Sequence, residues 1–186
     1  MRPSILAILA TLWTSPSQAD PPNFMEADAD KVLDACLTIA PDALHEPHTT
    51  CHRMMRDRYA ALEPDVAGSS FGLLNATHHA VGAWRRRIDA RYAEILATFA
   101  APDPRGTGFA ERNTEALKAM RAAWPAWVQA RCAVAEARNG GGYDHHDYAL
   151  CEEYMLARHW RDLADLDAVL GCWDCASPRS QSIPIP

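Results

Sequence analysis

The segment from Trp124 to Leu163 constrains the fold of this chain more than any other. It contains a tryptophan-rich helical pattern with Cys132, then Gly140-Gly141-Gly142, then a second helical pattern that opens with Cys151. Successive glycines interrupt a helix, so the segment predicts a helical hairpin in which the two cysteines face each other. Their disulfide would close a loop of about 20 residues and stabilise the fold by on the order of 3 kcal/mol.

The other four cysteines complete the set of candidate disulfide residues. Cys36 and Cys51 flank the turn between two short helical patterns, and we expect them to form a second bond. Cys172 and Cys175 form a CxxC motif. A thioredoxin-type CxxC opens a helix in a βαβ unit, whereas this one follows a helix. We expect a local disulfide here, or a crosslink from the tail to the N-terminal helices, and keep redox catalysis as the less favoured alternative.

Residues 1–19 have the pattern of a secretory signal. Arg2 supplies a positive start, an apolar run follows, and Ser17-Gln18-Ala19 is a small-residue cleavage site. The apolar run is about half of the roughly 20 residues that cross a bilayer. We therefore expect cleavage after Ala19, export to the periplasm or the medium, no membrane anchor, and an environment in which thiols oxidise.

The charge of the mature chain limits the classes of partner. Removing the signal leaves 17 basic and 24 acidic side chains, a formal net charge of −7. This balance argues against nucleic-acid binding, which requires a basic surface. It favours a basic partner, although solubility alone also accounts for it. We expect a signal at 1–19, one helical domain at 20–171, and a CxxC-containing tail rich in proline and serine at 172–186.

Apolar residues recur at helical spacing along the mature chain, and alternating strand patterns are nearly absent. We expect short helices over 27–39 and from Thr49 or Thr50 to before Pro64. Long helices should follow from Ser69 or Ser70 to Phe99, across 117–132 with a kink or junction at Pro125, and over 150–170. The predicted fold is an all-α antiparallel bundle of about three long helices, with short N-terminal helices packed against it and disulfide staples.

Side chains that often carry chemistry receive structural interpretations. We expect Tyr154 and four tryptophans to lie in the core: Trp84, Trp124, Trp127 and Trp160. The pairs His145-His146 and His78-His79 invite a metal hypothesis, but adjacent helical residues point about 100° apart and no HExxH or zinc-finger spacing occurs. We therefore expect no metal site, with His145 and His146 in a solvated loop. No GxSxG, P-loop or GxGxxG is present, so we expect no catalytic residues, no cofactor and no enzyme.

The hairpin resembles the C-terminal motif of the LprI-type lysozyme inhibitor family, a small exported bacterial domain. The shared features are Trp124, Trp127 at the aromatic position, Cys132, the glycines, Cys151, and Arg158-His159 before Leu163. Upstream, the resemblance covers a cysteine pair like Cys36 and Cys51 and the segment 88–92, where Tyr92 matches the family tyrosine. The chain departs from the family at Val128-Gln129 (usually arginine and aspartate), at Asp89 (usually asparagine), and in the shifted arginine at Arg158.

The resemblance implies a non-enzymatic exported protein that binds and inhibits lysozyme, a basic enzyme. Opposite charge would increase the rate of encounter. The contact surface we expect is the loop of the hairpin, with Tyr143, Asp144, Asp147 and Tyr148 as partner-binding residues. Two alternatives remain: an envelope binding or stress protein whose partner is unknown or is another basic envelope protein, and a thiol oxidoreductase using Cys172 and Cys175. The oligomeric state is left open.

Overall fold

The computed structural model describes residues 24–39, 47–100, 108–139 and 144–171. These residues form five helices and contain no strand. In chain order the helices are α1 (Glu26–Ile39), α2 (Pro47–Leu62), α3 (Ser70–Phe99), α4 (Phe109–Asn139) and α5 (Asp144–Gly171). The predicted all-α bundle of three long helices with two shorter N-terminal helices is confirmed.

The start of α3 is determined by local chemistry. Ser69 is the N-cap, and its hydroxyl accepts a hydrogen bond from the backbone N–H of Gly72 at 3.0 Å. Gly72 is needed at this position, because a Cβ there would collide with the backbone carbonyl of Val66. The turn before α3 therefore folds back tightly against the first turn of the helix.

The main core lies around α3, which packs along α5 and also against α1 and α2. Its largest fully buried side chains include Leu33, Met55, Trp84, Ile95 and Leu163. Truncating one such aliphatic side chain to alanine costs about 2–5 kcal/mol in a packed core. A smaller core joins α4 to α5 through Val128, Cys132 and Met155.

Two disulfides join consecutive helices. Cys36–Cys51 links α1 to α2 with a Cα–Cα distance of 5.4 Å, and Cys132–Cys151 links α4 to α5 at 5.5 Å. All four cysteines pair as the spacing predicts. Cys172 and Cys175, the signal at 1–19 and Tyr143 lie outside the described residues.

Two helices begin earlier than the sequence patterns predict. α2 starts at Pro47, a residue suited to a first turn because its missing N–H has no helical partner there. α5 starts at Asp144, so the prediction that His145 and His146 lie in a loop is wrong. α4 ends at Asn139, and the polar segment that begins at Asp144 forms the first turns of α5.

Pro125 does not divide α4 into two helices. Phe109–Asn139 is one continuous helix with Pro125 inside it. Proline has no N–H, so the carbonyl of Arg121, four residues earlier, lacks its helical hydrogen bond.

Two aromatic side chains that we expected in the core are exposed. Trp127 is 50% exposed and Tyr154 is 45% exposed. The spacing placed both near the apolar faces of their helices, but the neighbouring helices do not cover them. Trp84 is buried as predicted, while Trp124 and Trp160 pack at the edges of the two cores.

None of the helices in the described part of the chain is long and apolar enough to span a membrane.

The α4–α5 staple is testable by replacement. We expect Cys132→Ser with Cys151→Ser to lower the free energy of unfolding by roughly 2–5 kcal/mol and the thermal midpoint by several degrees. Circular dichroism melting measures both. With reductant present the wild type loses its bonds too, so the two midpoints should converge. An unchanged midpoint under oxidising conditions would contradict the stabilising role of this bond.

Candidate functional site

A cleft of about 440 Å³ opens where α3, α4 and α5 meet. Each helix contributes side chains spaced three or four residues apart, which places them on one face. The lining residues are Arg85, Ile88, Asp89 and Tyr92 from α3; Arg121, Trp124, Pro125, Val128 and Gln129 from α4; and Tyr148, Glu152 and Leu156 from α5. The cleft thus has an apolar floor and a charged rim.

Ion pairs across the rim connect the three helices. Arg121 of α4 donates to Asp89 of α3 at 2.6 Å, and Arg85 of α3 pairs with Glu152 of α5. Both arginine side chains are about half exposed, so each pair contributes little to stability, on the order of 0–1 kcal/mol. Such pairs are easily exchanged for pairs with a binding partner.

A cluster of aromatic side chains extends from the lining of the cleft into the protein interior. The hydroxyl of Tyr92 and Nε2 of His159 share a hydrogen bond of 2.8 Å, and both residues are almost completely buried. The ring of Trp124 stacks on the His159 ring with 3.7 Å between centroids. The guanidinium of Arg121 lies over the Tyr92 ring at 5.5 Å. The cluster connects all three helices of the cleft and holds the floor in place.

Burial keeps two members of this cluster, Tyr92 and His159, uncharged. Desolvation lowers the pKa of His159 to about 4 and raises the pKa of Tyr92 to about 12. At neutral pH the hydrogen bond therefore joins a neutral imidazole to a neutral phenol. This arrangement positions side chains and does not supply a charged general acid.

The structure brings one of the predicted partner-binding residues to the cleft. Tyr148 lines it, and burial raises the pKa of its hydroxyl. Asp147 is half-buried on the first turns of α5, and Asp144 is the first residue of that helix. Tyr143 lies outside the described residues. Contact of these four residues with a partner stays a prediction.

Sequence reasoning missed most of the cleft, because it placed the contact surface on the hairpin loop alone. The signal that could have found the rest is the resemblance itself. The matches to the family and the departures from it include five residues that line the cleft: Asp89, Tyr92, Trp124, Val128 and Gln129.

A comparison with known protein families also points to the region that contains the cleft. The family model described as lysozyme inhibitor LprI matches residues 65–165. The chain belongs to the LprI family. Every residue of the cleft lies inside the matched region, whereas α1 and α2 precede it. No curated protein and no solved structure matches the chain.

The residues that depart from the LprI pattern, as the sequence resemblance gives it, lie in or next to the cleft. Val128 is buried in the smaller core and Gln129 lies on the lining, at the positions where the family usually has arginine and aspartate. Asp89 pairs with Arg121 on the rim. Of Arg158 and His159, the histidine is the buried residue. The hydrogen bond between Tyr92 and His159 is the polar contact that joins α3 to α5 within this buried cluster.

The lowered pKa of His159 predicts a loss of stability in acid. Between the ordinary value of 6.5 and about 4, the unfolded chain takes up a proton at this histidine and the folded chain does not. The free energy of unfolding should therefore fall as the pH falls through this window, by roughly 2–3 kcal/mol at its lower end. Urea unfolding at pH 7 and pH 4.5 measures the change.

The control for this prediction is His159→Gln, whose amide can still bond to Tyr92 but does not titrate. Burial also lowers the pKa of His79 and His146, and both proteins keep those contributions. We expect the variant to lose less stability than the wild type between the two pH values. Equal losses would show that His159 does not carry the effect.

Proposed function

We propose that this LprI family member is an exported binding protein that inhibits a basic lysozyme and performs no chemistry of its own. The family match over residues 65–165 is the observation that carries the proposal. Two disulfides are in keeping with an oxidising compartment outside the cytoplasm. The predicted net charge of the mature chain, −7, suits a basic partner.

The mouth of the cleft is the binding surface that we favour. Trp127 is half exposed, and its ring centroid lies 5.0 Å from that of Trp124, which lines the cleft. An exposed tryptophan is typical of a binding hot spot. Tyr148 lies on the α5 side of the same cleft. Asp144 and Asp147, on the first turn of α5, would extend the surface toward the hairpin loop.

The rim pairs provide a way to accept a cationic partner. Asp89 and Glu152 are held by Arg121 and Arg85, which are both accessible to solvent. An arginine or lysine of a lysozyme could replace either guanidinium without leaving a buried charge unpaired. The exchange would cost little, because exposed pairs contribute little to stability.

A second candidate function uses the same surface for another envelope protein. The observation that favours it is that Asp89, Val128 and Gln129 line the cleft and differ from the usual family residues. A change at the floor and rim of a binding surface alters which partner fits. The fold of the family is kept, but the specificity need not be.

Residual lysozyme activity separates the two candidates. With micromolar excess of the purified chain we expect inhibition at low salt and weaker inhibition at high salt, because screening shortens the range of charge attraction from about 10 Å at 0.1 M to about 3 Å at 1 M. Rates are compared with lysozyme alone at the same salt, and an unrelated acidic protein serves as a control. Absence of inhibition at low salt would favour the second candidate.

Substitution of the exposed Trp127 tests where binding occurs. Trp127→Ala should weaken inhibition about tenfold or more, as expected for a hot-spot aromatic, with little change in the thermal midpoint. Phe71→Ala is the matched control, since Phe71 is 64% exposed and lies 14 residues before Arg85, about 21 Å away along α3. Equal effects of the two substitutions on inhibition would place the contact surface elsewhere.

A further inference from the structure

Two histidines and a buried glutamate meet on the side of α5 that faces α2, away from the cleft. His48 and His52 are four residues apart on α2, so both project from one face of that helix. Their rings stack with 5.6 Å between centroids. Glu153 of α5 lies against them, with its Oε2 at 2.7 Å from His52 Nδ1 and 3.9 Å from His48 Nε2.

Glu153 is the unusual member of this group. Its side chain is completely buried, and its second oxygen, Oε1, has no hydrogen-bond partner among the described residues. Leaving a buried polar atom unsatisfied costs roughly 1–3 kcal/mol, and more when the group is charged. The bond from His52 satisfies one oxygen only, so the carboxylate has unused capacity to coordinate a cation.

We propose that His48, His52 and Glu153 form a zinc site that ties α2 to α5. One donor atom from each residue lies within 4.8 Å of the others. Two imidazoles and one carboxylate are a donor set that zinc takes, with a fourth position left for water. Hard cations such as calcium and magnesium prefer sites made of oxygen alone.

The distances fit a metal-free form that needs only small side-chain movements to bind. Ligand atoms around tetrahedral zinc lie about 3.3 Å apart, given bond lengths of about 2.0–2.1 Å. The separations of Glu153 Oε2 from the two histidine nitrogens, 2.7 Å and 3.9 Å, lie on either side of this value, and all three donor atoms lie within 4.8 Å of one another. Zinc would take the place of the hydrogen bond between His52 and Glu153 and draw His48 inward toward the other two ligands.

The two disulfides hold the ligands in position. Cys51 directly precedes His52, and Cys151 lies two residues before Glu153. Each ligand-bearing turn is thus fixed covalently to a neighbouring helix, which limits the rearrangement required for binding. His48 and His52 remain partly accessible, with 23% and 16% of their side chains exposed, so an ion can enter from solvent.

The zinc site does not depend on the proposed inhibition of lysozyme. Both histidines precede the matched region at 65–165, and Glu153 lies within it. Zinc would therefore attach α1 and α2 to the region that matches the LprI family model. Metal binding is measured without lysozyme, so failure of either proposal leaves the other intact.

Zinc titration of the purified, disulfide-bonded chain tests the site. Isothermal titration with zinc chloride should give one ion per chain, and zinc should raise the thermal midpoint while magnesium and calcium leave it unchanged. Cobalt(II), used as a spectroscopic substitute, should develop visible absorption bands of four-coordinate geometry. Absence of zinc binding at tens of micromolar, or equal binding of calcium, would overturn the proposal.

Substitutions assign the ligands. His48→Gln and His52→Gln should each weaken zinc binding at least tenfold and abolish the cobalt bands, as should Glu153→Gln if that variant folds. If Glu153→Gln does not fold, the variants of the two partly exposed histidines test the site on their own. The matched control is His145→Gln on α5, whose side chain is 88% exposed and which should bind zinc like the wild type. Unaltered binding by both His48→Gln and His52→Gln, or an equal loss in the control, would show that zinc binds elsewhere.

Discussion

The bond between Cys132 and Cys151 fixes the register of α4 against α5, and the geometry of the cleft depends on that register. Val128 and Met155 pack beside the bond, so the covalent link and the smaller core act at the same place. One turn before Val128 on α4, the ring of Trp124 stacks on the ring of His159 of α5. A shift of either helix by one residue would rotate its side chains by about 100° and separate this stacked pair.

α5 serves two different surfaces with adjacent residues. Glu152 points to the cleft and pairs with Arg85, whereas Glu153 is directed at the histidines of α2. Their partners differ more than their burial. Glu152 keeps 13% of its side chain exposed and pairs with an accessible arginine at the rim, whereas Glu153 is completely enclosed, where a carboxylate requires compensation by specific neighbours. The buried pair of Tyr92 and His159 lies on the cleft side and stays uncharged because desolvation outweighs the effect of the nearby charges, which for Tyr92 are Arg121 and Asp89.

The fold was predictable from the sequence because its main determinants are local. The hairpin follows from the glycines and the cysteine spacing, and Ser69 is recognisable as a cap beside a polar turn. The sites were harder, since they depend on contacts between distant segments. His52 and Glu153 are 101 residues apart. Moreover, His48 precedes the predicted start of α2 at Thr49 or Thr50. The sequence pattern therefore did not place His48 and His52 one turn apart on the same helix, whereas in the structure α2 begins at Pro47. The exposure of Trp127 could likewise not be predicted, because helical periodicity shows which face a residue lies on but not whether another helix covers that face.

The two disulfides are short-range and do not interleave. Their cysteines are separated by 15 and 19 positions, and each bond closes before the next begins along the chain. In a polypeptide that crosses a membrane N-terminus first, Cys51 meets Cys36 while Cys132 and Cys151 have yet to emerge. When Cys151 appears, Cys132 is its nearest neighbour and the earlier thiols are already consumed. For these four cysteines, the native pairing is therefore also the one that strictly sequential oxidation would produce, without a search among mispaired isomers.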